Sequence, residues 1–544
     1  EATVDINASA AITLAAANVP VTVGGIPFYY GDTGSIYTHN VSGTDNTATY
    51  NTSYGLTALD AITDADNVTA LGYGSGGATT TGGNSVFVGA YAGAANTTGD
   101  SIIAIGKSCY NQADTETHNI AIGRNAMGGV VAGAEYNVAI GNDSLDAITS
   151  GDSNTAVGYN AGSGITTGYN NTFMGYGAGI ATTTGGTNTF IGFEAGNSTT
   201  TGSRNTVVGD IAYDDGFTSE GDNTAIGYAA MGNGAVGNGA EFNTVVGSYA
   251  ADAITTGDSN SIFGYNAATA LTTGHSNILI GHTAGGAITT GTHNIAIGNL
   301  AMDGFDTEIN NLGIGYAALG GSVAGGEYNV AVGNYSLDAL TSGDNNTAIG
   351  YNSGTSLTTG DRNIAIGMDS GPTVTEGDNN ILIGYKSGDS GAPGGAVTTA
   401  DNKLCLGNEH IANAHVQVDW TVSSDKRDKT DVSSIDIGLN FINKLEPVTY
   451  YWDKRSKYDD SNPTGEHKED KLDIGFLAQD VEVLENEYGY KIEDKTNLTT
   501  HLSEDGEQYG IQYSKFVPIL VKAVQELSAQ VTTLKDEINN LKGG

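Results

Sequence analysis

Asn346-Thr347-Ala348-Ile349-Gly350 repeats Asn154-Thr155-Ala156-Val157-Gly158 almost letter for letter, and the phrase returns along most of the chain. Its glycine marks a phase found at 55, 72, 89, 106, 123, 141, 158, 175, 192, 209 and 227. The series continues at 247, 264, 281, 298, 315, 333, 350, 367, 384 and 407, mostly seventeen residues apart. A self-similar period this short predicts a solenoid, in which each repeat makes one turn and stacks on the next. Seventeen residues are too few for a strand and a helix but enough for one turn of a narrow β-roll. Within the copy 346–362, glycine turns separate two expected strands, Thr347–Ile349 and roughly Leu357–Thr359, before a polar corner at Asp361-Arg362.

The residue before the marker glycine is apolar at nearly every turn, as at Val88, Ile122, Ile140, Met174, Phe263 and Ile383. Two residues earlier stands Ile, Val, Leu or Thr, as at Ile120, Val138, Thr172 and Ile295. Strand alternation places those two phases on one face. The residue between them is apolar too (Ala121, Ala156, Phe190, Val245, Leu382), and a strand apolar on both faces needs both covered. One face fills the roll's interior. The economical cover for the other is the same face of identical chains around a three-fold axis. The expectation is a parallel homotrimer, with a monomer whose second face lines a wider interior as the competing arrangement.

Asparagine stands four residues before the marker glycine in every copy from Asn119 to Asn380. Stacked asparagines can hydrogen-bond along the axis as a ladder, and Asn also suits a corner with positive φ, so this phase reads as structural. Thr166-Thr167-Gly168, Thr272-Thr273-Gly274 and Thr358-Thr359-Gly360 form a second recurrent phase. Flat threonine ladders can bind ice, but Ile, Leu and Ser interrupt this array, so strand formation is the stronger reading.

Glycine supplies 80 of the 544 residues, more than twice the roughly 7% of a globular chain, without the Gly-X-Y period of collagen. Net charge is −40, unevenly spread. Residues 1–410 hold six basic side chains, Lys107, Arg124, Arg204, Arg362, Lys386 and Lys403, and the other fifteen follow residue 411. Composition therefore sets a boundary there. An acidic rod repels nucleic acid and anionic membrane surfaces, so neither is an expected partner. Cys109 and Cys405 lie too many turns apart to bridge in one rigid rod. No run approaches eighteen apolar residues, so no membrane insertion is expected. No basic leader opens the chain, and its start at Glu1 rather than Met reads as that of a fragment or processed product. No dense Asp loop or His-x-His pair points to a metal, and no cofactor is expected.

Residues 1–50, with Phe28-Tyr29-Tyr30, read as an N-terminal β cap or attachment segment, and 51–410 as the rod. At about 4.8 Å per turn that rod is on the order of 100 Å long. Insertions lengthen the spacing before Gly141, Gly227, Gly247, Gly333 and Gly407. One recurs nearly verbatim, at 128–136 and 320–328. Such bulges are where receptor contact is expected, although duplication of larger blocks accounts for them equally well. The rod resembles the β-roll heads of trimeric autotransporter adhesins, through phases such as Ile191-Gly192-Phe193-Glu194-Ala195, and more closely the repeat stalks of phage tail-fibre proteins.

Residues 411–423 read as a linker, and 424–544 as a mixed, charged, α+β module. Ile437, Phe441, Ile442 and Leu445 fit a short amphipathic helix, and Val448–Trp452 a strand. Val517, Leu520, Val524, Leu527, Val531, Leu534, Ile538 and Leu541 alternate three and four residues apart, the seam of a coiled coil over 517–541.

Three motifs of this module, Ser424-Asp425-Lys426-Arg427-Asp428-Lys429, Asp473–Val481 and Tyr509–Tyr513, resemble the intramolecular chaperone autoprocessing domain of phage tail spikes and fibres. That family trimerises an upstream fibre and then cuts itself off with a serine–lysine dyad five residues apart. The resemblance implies Ser424 as nucleophile, Lys429 as base, and cleavage between Ser423 and Ser424. Lys429 must be neutral to accept a proton, so burial or a cation such as Arg427 is expected to depress its pKa, with Asp425 and Asp428 opposing.

Together these readings point to a trimeric viral tail-fibre or stalk protein on the virion, with a host-surface receptor or glycan as partner. An extracellular bacterial adhesin built from the same modules is the alternative. An ice-binding rod and a polysaccharide depolymerase rank lower, the latter because glycoside hydrolysis needs two facing carboxylates and no recurrent pair is visible. No activity on an external substrate is expected.

Overall fold

Each turn builds one strand, from the three residues before its marker glycine. The structure, a computed structural model, describes residues 21–23, 26–30, 35–38, 47–214, 218–232, 239–322, 324–392, 394–411, 413–417, 421–458, 462–503 and 506–543. Much of the expected N-terminal cap, part of the 411–423 linker and part of the insertion before Gly247 lie outside the described residues. The chain divides into two compact units, Glu1–Ala324 and Gly325–Gly544. It is mainly β, a parallel β-solenoid of about 17-residue turns with a C-terminal helix.

In the first unit, Val21–Val23 pairs antiparallel with Ile26–Tyr30, which pairs antiparallel with Ile36–Tyr37. One three-residue strand per turn then recurs from Thr52–Tyr54 to Leu312–Ile314. Pairing is parallel and residue for residue: Thr155 faces Thr172, Ala156 faces Phe173, and Val157 faces Met174. The second expected strand is absent. At Thr166-Thr167-Gly168 three successive amides converge on the single carbonyl of Thr183, at 2.9, 3.3 and 3.2 Å, so the chain bends where a strand would share its bonds out. The Thr166 hydroxyl donates to the same carbonyl at 3.2 Å. Leu357–Thr359 in the second unit bends likewise, with Thr358 and Thr359 amides both on the Thr375 carbonyl.

The middle residue of each strand fills the interior. Ala104, Ala121, Ala156, Phe173, Phe190 and Val207 are fully buried, while their neighbours point outward. Core volume is balanced between that residue and the one four places after the glycine within some turns, and against the next turn in others: Ala156 shares its turn with Gly162, where a Cβ would stand 2.6 Å from the Phe173 ring. Ala121 and Ala139 share their turns with Met127 and Leu145, whereas Phe173 and Phe190 share theirs with Gly179 and Gly196. A Cβ at Gly179 would stand 2.5 Å from the Phe173 ring, so the large residue excludes even alanine there.

The marker glycine is dictated by stacking. Gly158 has φ +146°, and a Cβ on it would lie 2.1 Å from the carbonyl oxygen of Gly175. No other residue fits. The asparagine ladder forms as expected: the Asn171 amide and Nδ2 both donate to Asn154 Oδ1 at 3.0 Å, and Nδ2 also donates to the Gly185 carbonyl at 2.9 Å. Positive φ falls one residue earlier than expected, on Ser153, Asn170 and Thr187, which frees the asparagine for the interior.

The second unit carries further strands of the same kind, from Val330–Val332 to Leu404–Leu406, and then the C-terminal module. Helices α1 (Leu439–Ile442), α2 (Ala478–Glu487) and α3 (Phe516–Gly543) surround the module's core. Ile437, Phe441, Val481, Leu484, Phe516 and Ile519 form that core. Strand Val448–Tyr451 pairs antiparallel with Leu472–Gly475, and Thr500–Leu502 with Tyr509–Ile511. On α3 the buried stripe is Phe516, Ile519 and Ala523, whereas the heptad seam from Val517 to Leu541 is exposed along its length.

Candidate functional site

Ser424 and Lys429 meet because a single turn folds the chain back between them. Lys426–Asp428 is a 3₁₀ turn, and Asp425 caps it: its Oδ1 accepts the Arg427 amide at 2.9 Å. The reversal brings Lys429 Nζ to donate to Ser424 Oγ across 2.6 Å. A hydroxyl within hydrogen-bond reach of an amine is the arrangement a serine nucleophile needs from its base. Both residues are exposed in the single chain.

Arg427 takes a role other than the one expected. Its guanidinium grips Asp425, Nη2 to Oδ2 at 2.6 Å and Nε to Oδ1 at 3.1 Å. This pair holds the Asp425 carboxyl below the usual carboxylate range and the arginine above its ordinary value. The cation is thus neutralised by the residue beside Ser424. Among the described residues the turn's hydrogen bonds and ion pairs are internal to it, so its anchorage comes from its own sequence.

The other two motifs pack together. The Phe476 amide donates to Tyr513 Oη at 3.1 Å, and the two rings stack with centroids 6.1 Å apart. Two carboxylates lock the module and escape motif reading. Glu485, fully buried on α2, accepts the Thr499 amide at 2.6 Å and the Thr499 and Thr500 hydroxyls at 2.7 and 2.5 Å, tying the second hairpin to the helix. Glu526 on α3 accepts the Leu439 amide at 2.8 Å, satisfying an open donor at the start of α1. Their signal is positional: Glu485 follows Val481 by four residues on the buried side of α2, where a charge requires partners.

In the first unit Glu116 behaves similarly. Buried in its turn, it accepts the Asp114 and Thr115 amides through Oε2 and the Gly133 amide through Oε1, at 2.9, 3.1 and 2.8 Å. It thereby fixes the base of the 128–136 insertion, which exposes Val130 and Tyr136. Among the described residues no three His, Cys, Asp or Glu side chains gather as a metal site, and no helix is long and apolar enough to cross a membrane.

Residues 424–490 match the family model described as the chaperone of endosialidase. The match opens on Ser424 itself and takes in the turn, α1, the first hairpin and α2. It ends before the second hairpin and α3, so Tyr509–Tyr513 lies beyond it. No curated protein and no solved structure matches the chain.

Proposed function

We propose that this chain is a fibre or stalk protein of the phage tail-fibre type, whose C-terminal module trimerises the solenoid and then cuts itself away. The observation that carries the reading is the 2.6 Å contact between Lys429 Nζ and Ser424 Oγ at the first residue of the matched segment. With the amine neutral, Lys429 takes the hydroxyl proton as Oγ adds to the Ser423 carbonyl carbon. The C–N bond to Ser424 breaks, the proton passes to the departing nitrogen, and Ser423 is left as an ester on Oγ. Water then hydrolyses that ester, giving a Ser423 carboxylate and a new amino terminus at Ser424.

The exposure of the dyad in one chain supports cleavage that follows assembly, since neighbouring chains would desolvate Lys429 and favour its neutral form. The bare seam of α3 supports a coiled coil between chains. The fixed insertion at 128–136 is the leading candidate for receptor contact, and the virion is the proposed location. Expression of the full chain is expected to release the fragment from Ser424 to Gly544 on a denaturing gel, and both Ser424→Ala and Lys429→Ala to abolish the release. Persistence of the fragment in Ser424→Ala would overturn the reading.

A further inference from the structure

We infer that the outward strand face of the first unit is where this chain packs against further copies of itself. The inference deepens the fibre reading: the number of copies, three, rests on that reading, and the choice of face does not.

The face consists of the residues one and three places before each marker glycine. From Thr69–Leu71 to Leu312–Ile314 every one of these positions is Ile, Val, Leu, Met, Phe, Thr or Ser. Not one is charged, in a chain whose net charge is −40. Stacked neighbours cover each side chain from above and below, yet Met174, Phe263 and Ile280 remain 42, 39 and 37% exposed. What is bare is the side that looks away from the strand.

Three considerations name the occupant. Two strongly acidic chains repel except where they meet through surface free of carboxylates, and this strip meets that condition by itself. A face of one repeated composition is complementary to itself, as a symmetric interface requires. Its extent suffices: turns stacked about 4.8 Å apart make a strip roughly 70 Å long and about 10 Å wide, close to the ~800 Å² per partner of a stable interface.

The face also explains why a register-setting module is useful. The position three before the glycine is aliphatic from Val86 to Val138, threonine or serine from Thr155 to Ser261, and aliphatic again from Ile278 to Leu312. Sliding one chain past another by a whole turn changes the residue class in this row only at the block ends, and in the row beside the glycine chiefly at Met174 and Phe263. The face therefore supplies attraction with little register, and register must come from elsewhere in the chain.

The test uses the full-length chain. Ile278→Asp with Ile280→Asp is expected to lower the native mass from that of an assembly to a smaller species. Thr273→Asp with Thr290→Asp, the same charge on an exposed corner, leaves it unchanged. Because the first variant could instead misfold, Ile280→Cys and Thr273→Cys are treated with a bis-maleimide. Chain-to-chain cross-links at Ile280→Cys but not at Thr273→Cys support the face. Absence of cross-links at Ile280→Cys, or an unaltered native mass in the Ile278/Ile280 variant, overturns it. Neither readout depends on cleavage, so persistent cleavage in Ser424→Ala would refute the fibre-module reading and leave this one standing.

Discussion

Asp425 caps the turn that separates Ser424 from Lys429. Its carboxylate holds both the amide and the guanidinium of Arg427, and the capped turn places Lys429 against Ser424. Asp425→Ala should slow self-cleavage on the order of 10–100-fold, the scale for a reacting pair displaced by about an ångström. Asp425→Asn, which keeps an acceptor for the turn, should retain most of the rate in a time course on denaturing gels. Equal loss in both variants would show that charge rather than capping matters. Cys109 is a residue of the opposite kind, sealed in the solenoid. Burial pushes its thiol from 9.0 to about 12. The folded state therefore keeps a proton that the unfolded state loses between those values, and stability falls as pH rises through that window. A thiol reagent at pH 8 should leave Cys109 unlabelled until denaturant is added.

At the scale of the element, the turn is governed by stacking. Removing the Asn171 side chain strands the Gly185 carbonyl and the Asn188 amide, both of which it serves. Asn171→Ala should cost about 1–3 kcal/mol for each buried group left unpaired, read from denaturant unfolding. The ladder was legible because the asparagine recurs at one phase. The missing second strand was not: threonine favours strands, but three amides sharing the Thr183 carbonyl leave no ladder to build. Core compensation was equally hidden, since Phe173 and Gly179 reveal their dependence only when one ring occupies the other's Cβ space.

For the whole molecule, α3 separates two kinds of apolar residue that look alike in sequence. Phe516, Ile519 and Ala523 close the module, while Leu527 and the rest of the seam stay bare. Leu527→Asp should leave the module folded by circular dichroism and lower the native mass of the assembly. An unchanged mass would assign the seam to something other than chain association. The repeat, its period and the heptad seam were legible in the sequence because each is a fixed spacing along the chain, and spacing survives without coordinates, whereas the Ser424–Lys429 pair was legible only through the resemblance of the motifs around it. Which side of a doubly apolar strand faces inward, that Arg427 turns to Asp425, and that Glu116 and Glu485 sit buried on amides were decided only by tertiary structure. Those outcomes depend on which groups meet across turns, and hydrogen bonds and packing volume are settled between neighbours in space.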